Sequence, residues 1–164
     1  MNRRYTTEEF EKGVALLRKA YPNVALTTDI IVGFPGETEE EFATTYEFLK
    51  RIKFYKMHIF KYSQRKGTRA AVMPNQIDGK VKEERSRKLI ELSDQNEKEY
   101  NQQYIGKEVE VLFEDAHIEN GKKYRKGHTT NYIIVKVETD ENWENEIKTI
   151  TITNTDGIEL VGKT

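Results

Sequence analysis

The chain has 164 residues, enough for one medium domain or two small ones. Its net charge of −1 singles out no class of partner, and 36% hydrophobic against 34% charged residues is wet for a single core. With no cysteine, disulfides, zinc thiolates and iron–sulfur ligands are excluded within the chain. His58, His117 and His128 lie far apart, so no cluster has metal-ligand spacing. No apolar run is long enough for a membrane span or a signal core, and the expected location is the cytoplasm.

The chain opens on Met1-Asn2-Arg3-Arg4 with no strand ahead of its first helix, a pattern expected of a cut-down chain. Thr6 or Thr7 caps a helix with Glu8 and Glu9 in its first turn. Phe10, Val14, Leu17 and Tyr21 recur along it at helical spacing, and Pro22 ends it. Residues 25–32 are short, apolar and β-branched, and read as a buried strand. The turn Gly33-Phe34-Pro35-Gly36-Glu37-Thr38 follows, and Thr38 with Glu41 forms a capping box for a second helix. Phe42, Tyr46, Leu49 and Ile52 make that helix's buried stripe. Residues 55–60 are a further strand. Helix, strand, helix, strand is the order of a parallel β/α architecture.

Residues 61–79 lack periodicity and read as a long loop. A polar helix over about 80–104, with Leu89, Leu92 and Tyr100 on one side, connects to the remainder. After Gly106 the hydrophobic period changes from helical to alternating: Val109, Val111 and Phe113, then a β-prone run over 132–137, then Ile150 and Ile152, then 158–161. Short strands separated by Gly, Asn and Asp predict a small antiparallel barrel. The boundaries expected are 1–79 for the β/α part, 80–104 for the connecting helix and 105–164 for the barrel.

Alternation along the two parallel strands puts Asp29, Ile31 and Gly33 on one face, with His58, Phe60 and Tyr62 facing the same way. These six can line one cavity at the strands' C-terminal ends, where ligands approach in β/α folds. Each can also be ordinary core packing, although a carboxylate such as Asp29 in a buried strand is costly without a partner or a wet site. The glycines around Phe34-Pro35 allow close backbone approach, or simply make a tight turn. No Gly-Lys-Ser/Thr follows, so it is not a phosphate loop. Residues 50–69 hold eight Lys or Arg and no Asp or Glu, and residues 121–136 are again basic without acids. Basic residues interleaved with aromatics suit a nucleic-acid backbone and its bases. A solvated positive face is the alternative.

The segments Met1-Asn2-Arg3-Arg4-Tyr5-Thr6, TTDIIVGFPGET (27–38) and HIFKYSQRKGTRAA (58–71) resemble the radical-SAM methylthiotransferases, which modify tRNA or a ribosomal protein. The terminal module is similar to the TRAM domain, an RNA-binding barrel, and GHTTNYIIV (127–135) looks most like the branch acting on N6-threonylcarbamoyladenosine in tRNA. The resemblance implies the C-terminal part of a radical-SAM β/α barrel followed by an OB-like TRAM barrel. It implies S-adenosylmethionine at the strand ends, with Asp29, Ile31, Gly33, Phe34, Pro35, Gly36, Phe60 and Tyr62 as its contacts. Ile31 and Gly33 match the core of the family's GxIxGxxE motif, Asp29 replaces its first glycine, and Glu37 falls one residue late. The implied RNA contacts are Arg65, Lys122, Lys123, Arg125, Lys126, His128 and Tyr132, with the tRNA anticodon stem-loop as partner.

The family's CxxxCxxC motif, its cluster-binding N-terminal domain and the first four barrel strands have no counterpart in this sequence. The resemblance therefore implies S-adenosylmethionine and two 4Fe-4S clusters in the parent protein, none of them held stably here, and a fragment inactive alone. The alternatives are action on isopentenyladenosine or a ribosomal protein, a non-catalytic RNA-binding module, and an unrelated β/α enzyme. A truncated barrel edge also predicts self-association or a rearranged first 60 residues.

Overall fold

The computed structural model describes residues 4–164; Met1, Asn2 and Arg3, which open the first matching segment, lie outside the described residues. The chain divides into two compact units at Ser93 and Asp94.

The first unit contains α1 (Thr7–Ala20), β1 (Thr27–Val32), α2 (Glu39–Ile52), β2 (Lys56–Lys61) and the start of α3 (Gly79–Gln102). Both α1 and α2 begin at capping boxes, Thr6 with Glu9 and Thr38 with Glu41, so two orphan amides of each first turn are satisfied. β1 and β2 pair in parallel, with Asp29 beside His58 and Ile31 beside Phe60. Val32 and Met57 face a core shared with Phe42, Leu49, Ile52, Phe54, Leu89 and Leu92. The expected stripe of α1 is only half realised. Val14 is buried, but Leu17 and Tyr21 are 46% and 66% exposed. The loop expected over 61–79 contains a short 3₁₀ helix, Arg69–Val72, capped by Thr68.

The boundary between units falls inside α3. Leu89 and Leu92 belong to the first core. In the second unit Asn101 is fully buried, and its amide donates to the carbonyls of Gly157 and Ile158 at 3.3 and 3.0 Å. Each half of the helix is thus packed within its own unit, where the sequence suggested a separate connector.

The second unit closes a five-stranded barrel from β3 (Glu108–Glu119), β4 (Lys122–Thr129), β5 (Ile134–Glu138), β6 (Ile147–Thr155) and β7 (Leu160–Lys163), in the order β3-β4-β5-β7-β6. Its pairs are antiparallel except β5 with β7, which is parallel; the wholly antiparallel barrel expected from the sequence is corrected there. The chain crosses over through β6 before returning beside β5, which is Greek-key rather than meander connectivity. Val111, Phe113, Val135, Ile150, Ile152 and Leu160 fill the interior, and Phe113 meets Trp143 edge to face at 5.0 Å. Gly127 has no room for a side chain, since a Cβ there would lie 2.1 Å from the Leu112 carbonyl oxygen. β3 runs six residues past Phe113 to the Asn120-Gly121 turn, where both residues have positive φ as a two-residue hairpin requires.

Candidate functional site

In the first unit, Asp29, Ile31, His58 and Phe60 share the sheet face turned away from the helices, and all four are exposed. Asp29, expected as a buried carboxylate in need of a partner, meets water on this open face, so no desolvation cost arises. Ile31 at 39% and Phe60 at 53% exposure form an adjacent apolar pair.

Beyond the strand ends, the Tyr62 amide donates to the Val32 carbonyl at 2.9 Å, continuing the parallel ladder. Its ring meets Phe34 edge to face at 5.4 Å. The Tyr62 hydroxyl is buried and has no hydrogen-bond partner among the described residues. Pro35 is buried and Gly36 exposed. Phe34, Pro35 and Gly36 also border an open groove of about 580 Å³, whose other wall is Glu37, Glu40, Glu41, Thr44 and Thr45 of the α2 start. That wall is acidic and favours cationic or neutral groups over phosphate.

The glycines of this turn have separate reasons. Gly33 has φ +70°, and a Cβ there would meet Lys82 Cγ at 2.1 Å. The space expected for an approaching ligand is therefore filled by the alkyl stem of Lys82, whose ammonium donates to the Tyr62 carbonyl at 3.2 Å. Gly36 has φ +86°, and a Cβ placed there would have nothing within 4 Å; it is glycine for its backbone alone.

Arg85 was not among the residues expected from the sequence. Its side chain is 4% exposed and reaches Glu37 at 2.6 Å and Glu39 at 2.5 Å, while Glu37 also accepts the Gly33 amide at 2.7 Å. Burial works against the charged guanidinium, but the Glu39 and Glu37 carboxylates hold it above its ordinary pKa. One signal was available: Arg85 stands four residues before Leu89 and seven before Leu92, on the apolar side of an otherwise polar helix.

In the barrel the basic run lies along β4, but its side chains are matched by carboxylates from elsewhere. Lys122 pairs with Glu138 at 2.8 Å, Lys123 with Asp140 at 3.1 Å and Lys126 with Glu159 at 2.7 Å. Arg125 donates to the Glu141 carbonyl at 2.9 Å. Lys136 is enclosed by Asp156 at 2.9 Å, Glu159 at 3.5 Å and Glu119 at 3.6 Å. The acid-free stretch of sequence is thus not an acid-free surface. His128 contacts Glu114 at 2.5 Å and lies 5.5 Å from the Tyr132 ring. Tyr132, expected within a strand, instead has φ 67° in the turn before β5 and is 80% exposed. With Leu112 and Ile147 these two rings border a shallow cavity of about 310 Å³. Arg65 is exposed in the loop after β2, where its carbonyl accepts from Thr68.

Among the described residues, no helix is long and apolar enough to cross a membrane and no group of His, Asp and Glu is placed to hold a metal ion.

Comparison with known proteins adds family likeness to this geometry. The profile of the radical SAM superfamily matches residues 1–49. The threonylcarbamoyladenosine tRNA methylthiotransferase MtaB of Bacillus subtilis (strain 168) is 46% identical over 93% of this chain and 34% of its own length. The tRNA-2-methylthio-N(6)-dimethylallyladenosine synthase of Acetivibrio thermocellus is 44% identical over 85% of the chain and 29% of its own length. The synthase of the same name from Methylacidiphilum infernorum (isolate V4) is 38% identical over 99% and 34%. The chain thus spans about a third of the length of these relatives.

Proposed function

Because the chain belongs to the radical SAM methylthiotransferases, we propose that it is the C-terminal part of an enzyme that methylthiolates N6-threonylcarbamoyladenosine in tRNA. In this reading the first unit is part of the β/α barrel and supplies one wall of the S-adenosylmethionine pocket. The second is a TRAM-type barrel that grips the anticodon stem-loop.

The observation that carries the cofactor wall is the alignment of Ile31 and Phe60 on one open face, ending at the Phe34–Tyr62 ring pair. One aliphatic side chain and three aromatic rings suit the faces of an adenine. The buried, unpartnered Tyr62 hydroxyl is a polar group left for a ligand to satisfy. These residues fit the nucleoside end of S-adenosylmethionine, which when bound supplies the radical chemistry and the methyl group. Ile31 and Phe60 would exclude water from one side of the base, and the Phe34 ring would set its depth. The chain has no cysteine and so does not fit a cluster; no step through one is assigned to its residues, and alone it would be inactive.

The RNA reading is supported by a closed barrel of Greek-key connectivity. In five-stranded barrels of this kind, oligonucleotides bind on the face of the second and third strands. Here those are β4 and β5, which carry Lys122, Lys123, Arg125, Lys126, His128 and, in the turn between them, Tyr132. Arg65, exposed in the loop after β2, is by itself a further proposed RNA contact. The relatives named for dimethylallyladenosine favour a second reading, in which that modified base is the substrate.

Mass spectrometry of tRNA nucleosides from cells with and without the gene separates the two. Loss of 2-methylthio-N6-threonylcarbamoyladenosine supports the first reading. Loss of the dimethylallyl form alone replaces it with the second, and unchanged levels of both reject the tRNA activity.

A further inference from the structure

Arg85 is buried on α3, and its polar contacts converge on the turn after β1 and the first residue of α2. Nη1 donates to the Glu37 carboxylate at 2.6 Å and to the Glu37 carbonyl at 3.2 Å. Nη2 donates to Glu39 at 2.5 Å, and the guanidinium lies 5.3 Å from the Phe42 ring centroid. The Glu37 carboxylate also accepts the Gly33 amide at 2.7 Å. A continuous link therefore runs from α3 to the backbone at the end of β1.

Burying a guanidinium at 4% exposure is costly, and removing one partner strands the other charge. An ion pair that only joined α3 to α2 would need Glu39 alone. This one also closes on an amide of a turn with two glycines at positive φ, which has little conformational preference of its own. The clamp selects one arrangement of that turn.

We infer that Arg85 is a positioning residue: through Glu37 it fixes the Gly33 amide and the Phe34 ring where an adenine meets the ends of β1 and β2. The inference rests on the reading of that turn as a cofactor wall. Arg85 touches no ligand itself. It acts as the outer support that keeps contacting groups within the tolerance binding requires.

Two measurements test it. In this chain, amide exchange followed by NMR should show the Gly33 amide exchanging about tenfold or more faster in Arg85→Gln, with core amides of β1 and β2 unchanged. In a protein carrying the barrel strands proposed to precede this chain, calorimetric affinity for S-adenosylhomocysteine should fall about tenfold or more in Arg85→Gln. It should fall less in Arg85→Lys, which keeps the charge without the planar fork. Combining Arg85→Gln with Glu37→Gln should cost no more than the larger single effect. If Arg85→Gln does not fold, Arg85→Lys and Glu37→Gln carry both measurements. Unchanged Gly33 exchange overturns the clamp. A loosened turn with unchanged affinity makes Arg85 merely structural and overturns the positioning role. No affinity in the parent protein before any substitution is a different result: it rejects the cofactor wall, and the inference with it.

Discussion

Gly33 and Gly36 look equivalent in the sequence and differ in what surrounds them. Both have positive φ, and a side chain at either position carries the left-handed cost of about 1–2 kcal/mol. At Gly33 the Lys82 stem also occupies the Cβ position. Gly33→Ala should therefore destabilise the first unit by about 2–4 kcal/mol, and Gly36→Ala by about 1–2 kcal/mol. Measured in a Lys82→Ala background by denaturant unfolding, the Gly33 substitution should fall back to the Gly36 figure. Equal costs in both backgrounds would mean that Lys82 does not fill that space. At the barrel, Lys136 is held by carboxylates around it. The Asp156 hydrogen bond raises its pKa, in spite of burial, above the ordinary 10.5. For Asp156, burial works in the opposite direction, but backbone amides and Lys136 hold its pKa below the ordinary 3.8. Stability from the depressed carboxyl is present above 3.8 and lost as pH falls through its lower folded value. Stability from the raised lysine is present below 10.5 and lost as pH rises through its higher folded value. The stability gap between the native chain and Lys136→Met should thus be widest between those limits and narrow beyond both. A gap independent of pH would assign Lys136 a packing role only.

Among the elements, what could be read from sequence was local. The capping boxes at Thr6 and Thr38 rest on side chains three residues apart, and both helices start where those pairs place them. Val111 and Phe113 alternate because one side of β3 is dry, and both are fully buried. The continuation of β3 through residues 115–119 is exposed on both sides, so it carries no apolar alternation. It is held instead by pairing with β4 across the Asn120-Gly121 turn, whose dipeptide was the available signal. Tyr132 departs from expectation for the opposite reason. Its propensity is for strand, but its amide closes a turn on the Thr129 carbonyl at 3.0 Å. The site divides in the same way. Strand alternation placed Asp29 with Ile31 and His58 with Phe60 on one face. The Arg85–Glu37 contact spans 48 residues, and the carboxylates that pair with Lys122, Lys123 and Lys126 come from other segments. No spacing within a segment encodes either.

At the scale of the molecule, each unit has its own core, but only the barrel closes its sheet. β1 and β2 each pair with one strand, so each has an open edge among the described residues. Unpaired edges recruit further strands. Sedimentation of this chain should therefore show concentration-dependent self-association; a monomer at all concentrations would contradict this. The barrel is closed without any further strand, so its proposed grip on RNA can be tested in this chain directly. The measurement is affinity of this chain for a tRNA anticodon stem-loop across a range of salt concentrations. Binding should weaken steeply as salt rises, and Lys122→Ala with Lys123→Ala should make the salt dependence shallower by about two phosphate contacts. No binding at low salt, or binding indifferent to salt and to those lysines, would contradict the assignment of the barrel as the tRNA grip.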